Sequence, residues 1–109
     1  AISNDYAYDQ IFARQVKALG KKGDVLLGIS TSGSSGNVLE AFKAARAMGI
    51  KTVLLTGAIE KEIAGLSDIV IKVPSTDTPR IQEMHLLIEH IICEMVENHF
   101  FKNGFNVEL

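Results

Sequence analysis

Chemistry in this sequence is concentrated in Gly28-Ile-Ser-Thr-Ser-Gly-Ser-Ser-Gly36, where five of nine residues are Ser or Thr. The apolar run Val25-Leu26-Leu27 leads in and an amphipathic segment from Asn37 to Met48 leads out, so the stretch reads as strand, turn, helix. Such a turn offers backbone N–H groups, hydroxyls and the positive end of a helix dipole to one small volume, which suits a phosphate. Gly28 and Gly33 have the spacing of a nucleotide-binding P-loop, but Ser34 stands where that loop needs its Lys. No Gly-x-Gly-x-x-Gly occurs, so the dinucleotide fingerprint fails as well. The blander reading is a turn in which Ser34 or Ser35 caps the helix. One cap needs one hydroxyl, however, and Ser30, Thr31, Ser32, Ser34 and Ser35 supply five.

A second set lies near the end. His85 borders an apolar helical stripe, so a core or an interface explains it. His90 lies nearly opposite that stripe, where burial does not explain it. Gln82 is eight residues earlier, about 12 Å along a helix axis and about 80° around it, close enough for the two side chains to converge on one substrate or metal. Glu83, Glu89, Glu94 and Glu97 read as solvated helix charges, and Asn4-Asp5 either caps a helix or grips sugar hydroxyls.

The elements that must position these residues fit one domain of 109 residues, spanning 1–109, with no repeat or linker. A hydrophobic content of 47% is high for so short a chain and points to further burial in an oligomer. The net charge of −2 supplies no basic stripe, which argues against nucleic acid as a partner. Cys93 is the single cysteine, so disulfide frameworks and Cys-based metal clusters are excluded and a reducing, cytoplasmic setting is expected. No apolar run is long enough to span a membrane. The chain opens at Ala1 without Met or a signal-peptide pattern, which reads as a trimmed or missing N-terminal portion.

Along the chain, Ala1–Asp5 reads as a strand end or loop, with Asp5 or Asp9 capping a helix over Tyr8–Leu19. Val25–Ser30, Ile50–Thr56 and Asp68–Val73 read as apolar strands. Helical segments lie between them, at Asn37–Met48 and at Ile59–Ala64 with a stop at Gly65. This order predicts an α/β fold: a three-layer αβα sandwich in which helices cover both faces of a parallel sheet. Ligands of such sheets gather beyond the carboxyl ends of the strands, here the Ser-rich turn, Thr56-Gly57 and Pro74–Pro79. A long helix starts at Pro79 and runs to about Lys102, stopped by Asn103-Gly104. Its main stripe is Ile81, Met84, Ile88, Ile91, Ile92 and Met95, and Leu86 and Cys93 make a second side partly apolar. A helix apolar on two sides is expected between its own sheet and another subunit.

Gly28–Val38, Ala44-Ala-Arg-Ala-Met-Gly49 and Leu55-Thr-Gly57 resemble the SIS (sugar isomerase) phosphosugar-binding domain family, a flavodoxin-like, Rossmannoid fold. Ser3-Asn-Asp-Tyr6, Val73-Pro74 and Arg80-Ile-Gln-Glu-Met-His85 narrow the resemblance to the phosphoheptose isomerases of that family, over the chain to about Val96. The resemblance implies interconversion of sedoheptulose 7-phosphate and D-glycero-D-manno-heptose 7-phosphate through an enediol, for lipopolysaccharide heptose synthesis. By matching positions it implies that Ser30, Thr31, Ser32 and Ser35 bind the phosphate and that Asn4 and Asp5 bind the sugar. Gln82 would contact substrate and, in zinc-containing members, ligate zinc with His90, which would also be the catalytic acid/base. A homotetramer with active sites at subunit interfaces is implied too.

The family's N-terminal helical region, with the His and Glu that complete the metal and catalytic site, has no counterpart in this sequence. The chain could therefore be inactive by itself. Ser34 stands where an Asn is common. Two further readings are a non-catalytic SIS protein that binds a partner such as the bacterial replication initiator, and a phosphosugar-sensing module. The Arg80–His85 segment is shared with the first of these, so His90 is the discriminating residue.

Overall fold

In the computed structural model, the backbone of residues 2–102 and the side chains of residues 8–101 are described. The chain forms α1 (Ile2–Leu19), β1 (Val25–Ile29), α2 (Gly36–Ala47), β2 (Lys51–Thr56), a 3-10 turn (Glu62–Leu66), β3 (Ile69–Lys72) and α3 (Thr78–Glu97). A π-helical turn over Asn98–Lys102 continues α3, and the expected stop at Asn103-Gly104 lies outside the described residues.

The three strands form a parallel sheet in the order β1-β2-β3. Gly28 sits opposite Leu54, and Leu54 opposite Val70, so these three share one face. On that face Phe42 of α2, Leu54 and Ile63 of the 3-10 turn form the core, with Leu26, Val38, Leu39 and Val70 packed around them. α1 packs outside, against α2. Leu55 alternates to the opposite face and is fully buried there, where α3 meets β2. The layers are thus helices, sheet, helix, as expected. Farther from α3 the second face is open: Val25 is 65% and Ile69 56% exposed.

Three local expectations change. α1 begins at Ile2, so Asp5 and Asp9 lie inside it and cap nothing at Tyr8. No Pro or Gly interrupts residues 2–8, and polar Ser3, Asn4 and Asp5 are well tolerated in a first turn. Asp9 serves a different helix: its carboxylate lies against Gly36, the first residue of α2, where the dipole favours negative charge. The segment after β2 is a 3-10 turn at Glu62–Leu66 that includes Gly65, rather than a helix stopped by it. In α3 only Ile81 of the main stripe is fully buried, while Met84, Ile91 and Met95 are exposed. The helix meets the sheet near its N-terminal half, and farther along Ile88 and Ile92 are only half-buried among the described residues.

Candidate functional site

The turn from Ser30 to Ser35 closes through its own hydroxyls. Ser30, 3% exposed, donates its N–H to Leu55 O at 3.0 Å, which extends the ladder one residue beyond β1. Its Oγ accepts the Gly33 N–H at 3.1 Å and lies 2.8 Å from Ser35 Oγ. Gly33 adopts φ +72°, a left-handed conformation in which a side chain would be strained. Ser32 Oγ accepts from Ser34 N at 3.3 Å and Ser34 Oγ at 3.2 Å.

Ser35 occupies the N-cap position of α2 but makes no side-chain capping bond, because its hydroxyl is turned to Ser30. The capping explanation of these hydroxyls therefore fails. The Gly36 and Asn37 N–H groups have no acceptor among the described residues. The carboxylate that lies against this helix end is that of Asp9, and neither Gly36 nor Asn37 lines the cavity beside the turn.

A cavity of about 270 Å³ adjoins the turn at the carboxyl ends of all three strands. Thr31 and Ser32 of the turn line it together with Gly57, Lys61, Ile81 and the hydroxyl residues Ser75, Thr76 and Thr78. Its polar lining is five hydroxyl residues and one lysine; no carboxylate or imidazole residue lines it. Such a cavity can bind a phosphate dianion but holds no group fit to abstract a proton from carbon. A larger cavity, about 310 Å³, opens between α1 and β1, but side chains such as Phe12, Val16, Leu27 and Phe42 make it apolar. The smaller cavity is the candidate site.

The structure gathers Ser30, Thr31, Ser32 and Ser35 in one turn. Thr31 and Ser32 face the cavity, while Ser30 holds the turn from beneath. The backbone of Asn4 and Asp5 belongs to α1, and their side chains lie outside the described residues. Gln82 and His90 are exposed on α3 and neither lines the cavity. As zinc ligands they make two, where a zinc site takes three or four. Among the described residues no group of three or more His, Cys, Asp or Glu could hold a metal. The residues present therefore do not fit a zinc ion by themselves.

His85 is buried in α3, as its place beside the stripe implied. Lys61 and the hydroxyls of Ser75, Thr76 and Thr78 were not singled out from sequence. The available signal was positional, since Thr56-Gly57 and Pro74–Pro79 follow strand ends.

Comparison with known proteins agrees with this geometry. The family model described as the SIS domain matches residues 1–57, just over half the chain. A phosphoheptose isomerase from Helicobacter pylori (strain Shi470) is 57% identical over 100 residues, covering 92% of this chain and 52% of the relative. One from Burkholderia pseudomallei (strain 1710b) is 54% identical over 101 residues, covering 93% and 51%. The solved phosphoheptose isomerase of Neisseria gonorrhoeae superposes with a TM-score of 0.81 at 47% identity, over 87% of this chain and 54% of that one. That of Francisella tularensis gives 0.82 at 40% identity, over 89% and 54%. The chain spans about half the length of the curated relatives it matches. With a Ser-rich turn at the carboxyl edge of a parallel sheet, and a family match over that turn, the chain belongs to the SIS domain family.

Proposed function

We propose that the protein containing this chain is a phosphosugar isomerase that interconverts sedoheptulose 7-phosphate and D-glycero-D-manno-heptose 7-phosphate. The observation that carries the reading is the hydroxyl-lined cavity at the Ser-rich turn, in a chain 57% identical to a protein named phosphoheptose isomerase. Thr31 and Ser32 hold the phosphate, while Ser30 and Ser35 keep the turn in shape. Asn4, Asp5 and Gln82 bind the sugar in this reading.

The reaction moves protons and no heavy atoms. A base takes a proton from carbon 1 of the ketose while the carbon 2 oxygen gains one, giving the enediol. Loss of the proton on oxygen 1 and delivery of one to carbon 2 then gives the aldose. His90 is proposed as one acid/base, since imidazole exchanges protons near neutral pH. It lies away from this chain's cavity, so the reacting centre is completed by another copy or by residues outside those described. The exposed Met84, Leu87, Ile91 and Met95 of α3 support assembly with further copies, four in the proposed enzyme. Zinc belongs to this proposal only with ligands added to Gln82 and His90, and no step here depends on it. Among the described residues no helix is long and apolar enough to cross a membrane, and Cys93 is exposed and unpaired. A single, exposed cysteine suits the proposed cytoplasmic setting.

The test is ketose–aldose conversion of sedoheptulose 7-phosphate by the full-length, metal-replete protein, with His90→Gln alongside. Turnover that His90→Gln reduces at least a hundredfold supports the reading, in the range for removal of a general acid/base. No turnover by the intact oligomer overturns it.

A further inference from the structure

The hydroxyls of the turn carry no net charge, whereas a sugar phosphate brings nearly two negative charges into the cavity. Lys61 is the one ionisable residue that lines the cavity. The residues around it explain both its position and its freedom. The 3-10 turn is tied to the Ser-rich turn by Ile63 N–H donating to Gly33 O at 3.4 Å. A Cβ built on Gly33 would lie 3.4 Å from Lys61 Cβ and 3.6 Å from Lys61 Cγ, so the lysine stem runs directly past the bare glycine. Neighbouring Glu60 is engaged by Lys72 at 2.9 Å. Lys61 itself has no carboxylate or carbonyl partner among the described residues, so its ammonium stays available to a ligand.

We propose that Lys61 is a phosphate-binding residue: its ammonium contacts the phosphate in the cavity and supplies the charge that the hydroxyl turn lacks. The inference rests on the phosphosugar reading, and it assigns to Lys61 binding and not proton transfer. A compact ammonium on a flexible four-carbon stem suits a phosphate whose orientation the turn already fixes. Gly33 matters in this arrangement for its φ, and a side chain there would press on Thr56 Oγ1 at 3.1 Å while only touching the lysine stem.

The test uses the full-length protein with Lys61→Met and Lys61→Arg. In the isomerase assay, Lys61→Met is expected to raise KM for sedoheptulose 7-phosphate about tenfold with kcat within about twofold, the signature of lost ground-state binding. Lys61→Arg is expected to keep KM within about threefold of wild type. Inorganic phosphate, titrated calorimetrically, reads the same site without turnover: Lys61→Met should weaken it by a similar factor and flatten its dependence on salt. That arm separates the two claims, because wild-type phosphate binding lost in Lys61→Met supports the inference even where no isomerisation occurs. An unchanged phosphate affinity and salt dependence in Lys61→Met overturns it, as does a loss of kcat at constant KM.

Discussion

His85 Nε2 lies 3.0 Å from the carbonyl oxygen of Thr56, and this buried bond joins α3 to the carboxyl end of β2 beside the Ser-rich turn. A carbonyl only accepts, so Nε2 carries the hydrogen and Nδ1 is left as an acceptor. Among the described residues Nδ1 has no partner, and neither does the buried Thr56 Oγ1. Thr56 O accepts Val73 N–H as well, at 3.0 Å, so it stays bonded when the imidazole is removed. His85→Leu is therefore expected to destabilise the protein by no more than about 1 kcal/mol, because the lost bond is offset by removal of an unpaired buried nitrogen. His85→Ala leaves a cavity where the ring is 2% exposed and should cost about 2–4 kcal/mol. Urea unfolding of both variants decides the matter. Equal losses would show that the hydrogen bond, not the packing, is what His85 supplies.

Within the turn, two serines should separate stability from binding. Ser30 is buried and its hydroxyl serves Gly33 N and Ser35 Oγ. Ser30→Ala removes the Oγ acceptor of the Gly33 N–H, which still bonds Ser30 O at 3.2 Å, and is expected to destabilise by about 0.5–1.5 kcal/mol. Ser32 is exposed and faces the cavity. Ser32→Ala should change stability by less than about 0.5 kcal/mol yet weaken phosphosugar binding several-fold, and with Ser35→Ala further. Thermal melts paired with calorimetric binding check both halves. Unchanged phosphosugar affinity in the Ser32→Ala, Ser35→Ala double variant would remove the turn from the site.

The sheet and the turn were legible because each depended on local pattern. Apolar runs between glycine-bounded helices imply parallel strands, and a Gly- and hydroxyl-rich link after the first of them implies an anion site. What sequence could not supply was the set of distances that long-range packing creates. Lys61 reaches the cavity because Ile63 N–H bonds Gly33 O, a contact between segments thirty residues apart in the chain. Periodicity placed Met84 and Ile91 on one stripe correctly, but burial depends on what lies opposite, and within the described residues little does. The start of α1 was misread because Ser3-Asn4-Asp5 suits a cap, a loop or a first helical turn equally well. The catalytic assignment to His90 stays apart from this cavity for the same reason: helix geometry orders residues along α3 but does not say which surface comes to meet them.

Asp68 carries a pH dependence of stability. The Thr52 backbone N–H, donating to its Oδ2 at 2.8 Å, is the largest cause holding its carboxyl below the ordinary 3.8. Desolvation opposes this, and the Thr52 hydroxyl, Lys51 and Arg46 reinforce it. A depressed folded-state value means that the ionised form stabilises the fold at pH above the unfolded value. That stabilisation is lost as pH falls below about 4, through the folded value. Asp68→Asn keeps an oxygen acceptor for Thr52 and does not titrate. Its melting temperature is expected to fall less than that of wild type between pH 5 and pH 3. Parallel curves for the two proteins over that interval would show that Asp68 contributes nothing to acid lability.

Gly28 should be sensitive to substitution although it does not line the cavity beside the turn. It faces α2 from β1, opposite Leu54, and a Cβ there would overlap the ring of Phe42 and press on Val38 Cγ1 at 3.1 Å. Phe42 is fully buried in the core and has no room to withdraw. Gly28→Ala gains about 0.5 kcal/mol from a stiffer unfolded chain, but overpacking of this kind costs about 1–3 kcal/mol, so the net effect is destabilising. Because Gly28 lies two residues before Ser30 and Phe42 is in α2, relief of the clash moves α2 away from β1 and spreads the turn between them. Phosphate affinity should therefore fall in Gly28→Ala although nothing in the cavity has changed. Phe42→Leu makes space at the same contact, and the double variant is expected to be at least about 1 kcal/mol more stable than the two single losses sum to. Additive losses in urea unfolding, or a Gly28→Ala protein with wild-type phosphate affinity, would show that the close approach of β1 to α2 does not set the width of the turn.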